Sequence, residues 1–145
     1  MKVQKKIEIE APPVDIYAVL MDPRRLKDWV SIHERLLEAP EGQLSQGDEL
    51  RQRLKVAGQK FTVDWTVTQD ERSSYVEWLG SGPLGTEARC VYDLDPEGDG
   101  TCFSYLNEFE LPGGALGRVA GKAVATAAGR EAERSLQRLK LLMER

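Results

Sequence analysis

The sequence predicts an α+β fold, in which a curved antiparallel sheet of about seven strands wraps around one long C-terminal helix and two short helices follow strand one. Three observations predict it. Much of residues 1–110 alternates between apolar and polar side chains, with short turns between the alternating stretches. Two helical segments directly follow the first of these stretches. After residues 111–114, an uninterrupted helical pattern continues to Arg145, and the 145 residues fit one domain over 1–145.

The first strand and the two short helices come from the N-terminal part of the chain. Apolar residues alternate with charged or amide residues over 3–10, which is typical of a half-buried strand. A proline pair ends this strand, and Pro13 suits the first turn of a helix predicted over 13–21. An Asp-Pro step breaks that helix, and a second short helix is predicted over 24–30.

Six further strands complete the predicted sheet. They are expected over residues 34–39, 50–56, 61–68, 75–79, 87–94 and 103–111. Gly58 lies between two of them and is free to adopt the positive φ that a tight hairpin turn requires. The Pro-Glu-Gly-Asp-Gly sequence that precedes the last strand is another turn signal.

The C-terminal helix has an unusual composition. Of the 15 residues from 115 to 129, nine are alanine or glycine. A core-covering helix usually presents a stripe of larger apolar residues, so this one brings little bulk to the sheet beneath it. The pattern predicts a ligand cavity between helix and sheet, shaped in part by Ala120 and Val124. A helix of about thirty residues is about 45 Å long, enough to cross a small domain.

Composition narrows the classes of function. The net charge of −4 weighs against nucleic acid as the main partner, and no apolar run is long enough to span a bilayer. The chain begins with a strand rather than a signal peptide, so we expect a cytoplasmic protein. Strand parity predicts that Cys90 faces inward, that Cys102 faces outward and that no disulfide joins them. One histidine and two such cysteines do not supply the three or four ligands of a usual metal site, and nothing in the sequence implies a cofactor.

Polar residues on the inferred inner face are the candidates for ligand contact. They are Gln52, Asn107 and, at the margin of the helix, Glu131. Burying an unpaired amide costs about 1–3 kcal/mol, so these groups must pair with neighbours, water or a ligand. Both alternatives stay open. The hydroxyls of Tyr92 and Tyr105 could orient the polar end of an apolar ligand in the same way.

Three tryptophans and one histidine complete the candidates. Trp65 and Trp78 either pack in the core or stack on a ligand, and a cavity wall serves both purposes. Trp29 is expected beside the mouth of the cavity, as a lid or as an anchor for the second short helix. His33 follows that helix and is expected in a solvated loop, with a catalytic role as the minor alternative.

Three further patterns are weaker. Residues 80–85 match G-x-G-x-x-G, but a strand rather than a helix follows them, so we interpret them as a hairpin loop. Residues 117–122 resemble a phosphate loop but lie within a helix and lack the hydroxyl residue that would reach magnesium. Small residues at four-residue spacing over 113–129 indicate either close packing on the chain's own sheet or the contact of a homodimer.

Several short stretches, taken together, resemble the SRPBCC superfamily of helix-grip proteins, which includes START-like domains and polyketide cyclase/dehydrase-like proteins. The matching stretches are 7–12, 20–23 with Leu26 and Trp29, 47–48, 100–101 and 111–117. The resemblance implies a deep apolar cavity between sheet and C-terminal helix. It also implies lipid-like, polyketide or aromatic ligands. No stretch matches a catalytic set of the enzymatic members.

Three hypotheses follow. The first is that the protein binds or carries a small hydrophobic molecule in this cavity. The second is a polyketide cyclase or dehydratase type of enzyme that uses the same cavity, with Glu131 and Tyr105 as the candidates for proton transfer. The third is an accessory protein that binds another protein, which an exposed apolar patch would favour.

Overall fold

The computed structural model describes residues 2–110 and 114–145, apart from the side chains of 114–122 and 124. In this part of the chain, one sheet comprises β1 (Lys2–Ile9), β2 (His33–Glu38), β3 (Glu49–Val56), β4 (Gln59–Glu71), β5 (Tyr75–Ser81), β6 (Glu87–Glu97) and β7 (Gly100–Phe109). The α-helices are α1 (Pro13–Leu20), α2 (Leu26–Trp29) and α3 (Gly114–Met143), and 3₁₀ turns lie at Pro23–Arg25 and Pro83–Gly85. The predicted fold class and element order are confirmed.

The sheet is antiparallel, and its strands follow the order β1-β7-β6-β5-β4-β3-β2. The two short helices carry the chain from β1 at one edge to β2 at the other, and a meander then returns it to β7 beside β1. Because neighbouring strands are rotated relative to one another, the sheet curls into a half-barrel. Helix α3 packs against β1, β3 and α2. The concave face of the sheet is therefore closed by helices.

Local hydrogen bonds fix how the short helices meet the sheet. The Asp22 carboxylate accepts a hydrogen bond from the backbone N–H of Arg24 at 3.1 Å and so begins the first 3₁₀ turn. The hydroxyl of Tyr17 in α1 donates to the Asp70 carboxylate in β4 at 2.7 Å. The buried hydroxyl of Thr101 donates to the carbonyl of Ala11 at 2.7 Å, which ties β7 to the connection after β1.

Strands β4, β5 and β6 extend beyond their predicted bounds, and β5 does so by continuing to Ser81. Ala57 and Gly58 both have positive φ, 50° and 79°, so the turn needs only two residues and β4 already begins at Gln59. Strand β6 continues through Pro96, where the pattern predicts a turn. Because β5 pairs with β6 only as far as Asp93, Pro96 has β7 as its sole neighbour and its missing N–H costs no bond to β5.

The core lies between the concave face of the sheet and the helices. The described part of α3 contributes Ala128, Ala132, Leu136 and Leu139 to this core, and all four are buried. The prediction that Cys90 faces inward is confirmed, because it is buried, whereas Cys102 is half-exposed; both are free thiols. No helix among the described residues is long and apolar enough to cross a membrane.

Candidate functional site

A pocket lies between the concave face of the sheet and α3. Its apolar walls come from β1, β3, β4, β6, β7, α3, the segment before β2 and the 3₁₀ turn before β6. They comprise Val3, Ile32, Leu54, Val56, Phe61, Val63, Trp65, Pro83, Ala88, Phe109, Ala128 and Ala132. The polar lining residues are Thr86, Glu87, Tyr105, Asn107, Glu110, Glu131 and Ser135. An apolar cavity with a few polar groups is the usual form of a small-molecule site.

The first polar cluster of the pocket is built by the pairing of β6 with β7. The register places Cys90 opposite Asn107. The Asn107 side-chain amide donates to the hydroxyl of Tyr105 at 3.2 Å, and the Cys90 thiol also interacts with this hydroxyl. Burial, followed by the neighbouring Cys90, raises the pKa of Tyr105 above its ordinary value. The phenol therefore stays protonated at neutral pH and offers a neutral hydroxyl to the pocket.

Cys90 itself is not placed for nucleophilic chemistry. Burial raises the pKa of its thiol to about 12, despite hydrogen bonds to Tyr92 and Tyr105 that act in the opposite direction. The thiolate, not the thiol, is the nucleophile and the metal ligand. Among the described residues, no group of three or more His, Cys, Asp or Glu side chains is arranged to hold a metal ion.

The second polar cluster lies on the inward face of β3 and β4, next to the pocket lining. The indole N–H of Trp65, which lines the pocket, donates to the Gln52 carbonyl oxygen at 3.0 Å. The Gln52 side-chain N–H₂ in turn lies 2.8 Å from Nδ1 of His33. Gln52 is buried and points inward as predicted, but it is not part of the pocket lining. Its side-chain amide forms its hydrogen bonds with Trp65 and His33 instead. This pairing is the first of the two alternatives that the sequence leaves open.

His33 corrects the expectation of a solvated loop residue. It is the first residue of β2 and is half-buried, and burial lowers the pKa of its ring below 6.5. With Gln52 donating to Nδ1, the neutral ring carries its proton on the other nitrogen. Sequence parity could not place this residue, because β2 is irregular and its pairing with β3 shifts register right after His33.

The helix side of the pocket is positioned by two serines. The backbone N–H of Ser31 donates to the Ser135 hydroxyl at 2.9 Å, and the Ser31 hydroxyl donates to the backbone carbonyl of Glu131 at 2.9 Å. These bonds fix the segment before β2 against α3. Glu131 is part of the pocket lining, as expected at the margin of the helix, and its carboxylate forms an ion pair with Arg134 at 3.0 Å.

Trp29, Trp78 and Tyr92 do not line the pocket but belong to an aromatic core next to it. The expectation that Trp29 lies at the mouth of the cavity is wrong. Its side chain has no exposed surface, and its ring meets those of Tyr92, Phe103 and Tyr105 edge-on at 5.8–6.3 Å. Helix α2 points this large ring into the core, which buries more apolar area than a lid position would. Its role is that of an anchor.

The other predicted residues divide into two groups. Trp65, Tyr105, Asn107 and Glu131 are brought together on the pocket, while Ala120 and Val124 lie outside the side chains that the structure describes. Ser135 was missed by sequence reasoning, and so was the 3₁₀ turn before β6. The signal that could have indicated Ser135 was a serine among the apolar residues of α3. The signal that could have indicated the 3₁₀ turn was the glycine-rich loop over residues 80–85.

Comparison with known proteins places this geometry in context. The family model described as "Polyketide cyclase / dehydrase and lipid transport" matches residues 1–144. The uncharacterized protein Rv1546 of Mycobacterium tuberculosis strain H37Rv is 27% identical over 135 residues, covering 93% of each chain. Toxin Rv0910 of the same strain is 24% identical over 136 residues, covering 94% of this chain and 93% of its own.

A solved structure of similar shape is that of the Zhui aromatase/cyclase from Streptomyces sp. R1128. It superposes with a TM-score of 0.81 at 17% identity and covers 100% of this chain and 94% of its own. At this identity the likeness concerns the fold alone. The names of these relatives differ widely, so the function has to be argued from the pocket.

Proposed function

Because the chain belongs to the polyketide cyclase/dehydrase and lipid transport family, we propose that it binds or carries a small hydrophobic molecule in the pocket between the sheet and α3. The observation that carries this proposal is the Tyr105–Asn107 pair, which lies on the concave face of the sheet among the apolar lining residues Val3, Ala88 and Phe109. Apolar walls supply the binding free energy, and one polar pair selects the orientation of the ligand. Lipid-like, polyketide and aromatic molecules share the required shape: an apolar body with one polar end.

The described walls support this proposal through their composition. Phe61, Val63 and Trp65 present one apolar surface from β4, and Ala128 and Ala132 face the pocket from α3 with small side chains. Small residues at these two helix positions leave space that a larger side chain would fill. A ligand in this space would remove apolar surface from water at about 25 cal/mol per Å².

Filling the pocket is the direct test. We expect Ala128→Phe to weaken the binding of 2-naphthol and of 1-decanol at least about 100-fold, because the added ring occupies the space of the ligand. The matched control is Ala123→Phe, which adds the same ring at an exposed position of α3. Titration calorimetry measures binding, and thermal unfolding confirms that both variants fold. Absence of binding of both probes to the unaltered protein, or full binding to folded Ala128→Phe, would contradict the proposal.

A cyclase or dehydratase activity is the second candidate, and the Tyr105 hydroxyl is the observation that favours it. A protonated phenol held by Asn107 on the pocket wall is placed to donate a hydrogen bond to a substrate carbonyl. Glu131 is the only carboxylate of the described part of α3 that lines the pocket and is the candidate base. In this reaction Glu131 would remove a proton from a carbon between two carbonyls, and that carbon would bond to a ketone carbon as the π bond of the ketone breaks. Tyr105 would protonate the resulting alkoxide, and the new hydroxyl would then leave as water together with a further proton from the neighbouring carbon.

Ring closure of a synthetic aromatic 1,3,5-triketone, followed by absorbance, tests this candidate. We expect the unaltered protein to accelerate the closure and the Tyr105→Phe, Glu131→Gln double variant to lose that acceleration. If the double variant accelerated ring closure as much as the unaltered protein, neither Tyr105 nor Glu131 would take part in the reaction. No acceleration by the unaltered protein, combined with tight binding of 2-naphthol, would leave the carrier function alone.

Three finer expectations remain proposals alongside the binding function. They are a single functional domain over 1–145, a cytoplasmic location and a homodimer. Most of the small-residue seam predicted to support a dimer lies outside the described side chains. Light scattering of the purified protein checks the dimer: a mass of twice 16.2 kDa would support it and a mass of 16.2 kDa would contradict it.

A further inference from the structure

Trp65 is held in the pocket wall by two contacts. The strand register places it opposite Gly80 of β5, and a Cβ atom at Gly80 would lie 2.8 Å from Cε3 of the Trp65 ring. The ring therefore lies directly on the Gly80 backbone, where the missing side chain leaves room for it. The second contact is the hydrogen bond of 3.0 Å from the indole N–H to the Gln52 carbonyl oxygen. The position of this lining residue thus depends on Gln52 as well as on Gly80.

The hydrogen bonds of the Trp65–Gln52–His33 chain run in one direction. An indole N–H can only donate, so the Gln52 carbonyl oxygen must face Trp65 and the Gln52 N–H₂ must face His33. Nδ1 of His33, which lies 2.8 Å from this N–H₂, is then the acceptor and carries no proton. The chain as a whole therefore requires the neutral form of the His33 ring.

A proton on Nδ1 of His33 would break this chain, because the Gln52 N–H₂ would then face a second donor. Turning the Gln52 amide over would satisfy His33, but it would direct the N–H₂ at the indole N–H of Trp65. Each of the two orientations of the amide thus leaves one donor facing another. Trp65 and Gln52 are both buried, and a buried donor that loses its acceptor is costly. Protonation of His33 therefore removes one of the two contacts that hold Trp65 in the wall.

The ring of His33 lies on the inward face of the sheet. His33 is paired with Leu54, which lines the pocket, and burial lowers the pKa of His33. The charged groups on its own strand and on the elements around it are Lys27 and Asp28 of α2, Glu34 and Arg35 of β2, Arg53 and Lys55 of β3, Lys60 of β4, and Glu131, Arg134 and Arg138 of α3. Glu131 also lines the pocket, so its titration has to be separated from that of His33.

We propose that His33 and Gln52 are positioning residues that act on the ligand through Trp65, and that the pocket binds its ligand more tightly while His33 is neutral. This inference rests on the proposed binding function and adds a dependence on pH to it. The tighter binding is present above the pKa of His33 and is lost as the pH falls through that pKa. Because linkage is reciprocal, a bound ligand lowers the pKa of His33 further.

The first test follows the titration of His33 by NMR in the unaltered protein. His33 is the only histidine of the sequence, so the signal of its ring Cε1–H identifies itself. We expect saturating 2-naphthol, which stays neutral over this pH range, to move the midpoint of the titration to a lower pH. An unmoved or raised midpoint in protein that binds 2-naphthol would overturn the inference and leave the binding function intact. Absence of 2-naphthol binding at every pH would overturn both.

Two substitutions of His33 tie the pH dependence to the hydrogen-bond chain. In His33→Asn an amide oxygen that does not titrate can accept from Gln52, whereas His33→Leu offers no acceptor. We expect the affinity of the unaltered protein for 2-naphthol to fall at least about threefold between about pH 7.5 and about pH 5, and that of His33→Asn to fall less. At the higher pH we expect His33→Asn to bind at least about threefold more tightly than His33→Leu.

Equilibrium dialysis measures these affinities, and thermal unfolding confirms that both variants fold. An equally large fall in His33→Asn would assign the pH dependence to another group, such as Glu131, and would overturn the inference. Equal affinities of folded His33→Asn and His33→Leu at the higher pH would overturn the positioning role of the chain.

Discussion

The two faces of the β6–β7 hairpin carry polar clusters of opposite character, although their residues are neighbours in the sequence. On the inner face, Cys90 pairs across the strands with Asn107, and Tyr105 joins them. On the outer face, Arg89 pairs with Glu108 and also binds Glu77. On the inner face the groups are neutral and can still form hydrogen bonds with a molecule in the pocket. Outside, the charges satisfy one another.

The outer cluster is closed on itself. Arg89 donates to Glu77 at 2.8 Å and to Glu108 at 3.2 Å, and the Thr68 hydroxyl donates to the Glu77 carboxylate at 2.8 Å. Burial disfavours the Glu77 carboxylate, but the hydrogen bonds from Arg89 and Thr68 outweigh it and hold the pKa of Glu77 below its ordinary value. The outer network therefore stabilises the sheet, whereas the inner cluster can still form hydrogen bonds with a ligand.

The largest expected effect is on stability and comes from the outer face. We expect Glu77→Ala to lower the free energy of unfolding by about 1–3 kcal/mol, because Arg89 and Thr68 lose a largely buried partner. Glu133→Ala, which breaks an exposed ion pair with Lys5, is the matched control and should lower the free energy of unfolding clearly less than Glu77→Ala does. Urea unfolding measures both. Equal losses of unfolding free energy in the two variants would show that the outer network is no stronger than a surface ion pair. We expect both variants to bind 2-naphthol as the unaltered protein does.

The next effect is on binding and comes from the inner face. We expect Asn107→Leu to weaken 2-naphthol binding about tenfold, because the pocket loses its amide while keeping its apolar volume. Gln4→Leu removes an exposed amide from β1 and serves as the control. Unchanged binding in Asn107→Leu, with a normal melting temperature, would show that the inner cluster is as structural as the outer one.

The smallest effect concerns pH and the Trp65–Gln52–His33 chain. Burial lowers the pKa of His33 in the folded protein below 6.5, so folding favours its neutral form. The stability associated with this form is present above pH 6.5 and is lost as the pH falls through the lowered folded pKa. We expect the urea midpoint to decline over this range in the unaltered protein, and to decline less in His33→Asn. Identical pH profiles would exclude a contribution of His33.

These expectations also show what the sequence could and could not reveal. Alternation predicted the sheet, and it placed Asn107 and Tyr105 on one inward face, because side-chain direction in a regular strand has a fixed period. It could not show that Gln52 is occupied by Trp65 and His33, since that depends on register across β2, β3 and β4. Nor could it show that Trp29 enters the core, which depends on how α2 docks.

We propose that the inner face of the β6–β7 hairpin contacts the ligand and that the outer face does not. Heteronuclear NMR of the labelled protein during titration with 2-naphthol tests it most directly. We predict that 2-naphthol changes the chemical shifts of the Asn107 side-chain amide and the Trp65 indole N–H. The chemical shift of the Arg89 side-chain Nε–H should stay the same. Shifts confined to Arg89 and its neighbours, or a spectrum that 2-naphthol leaves unaltered at Asn107 and Trp65, would contradict the account.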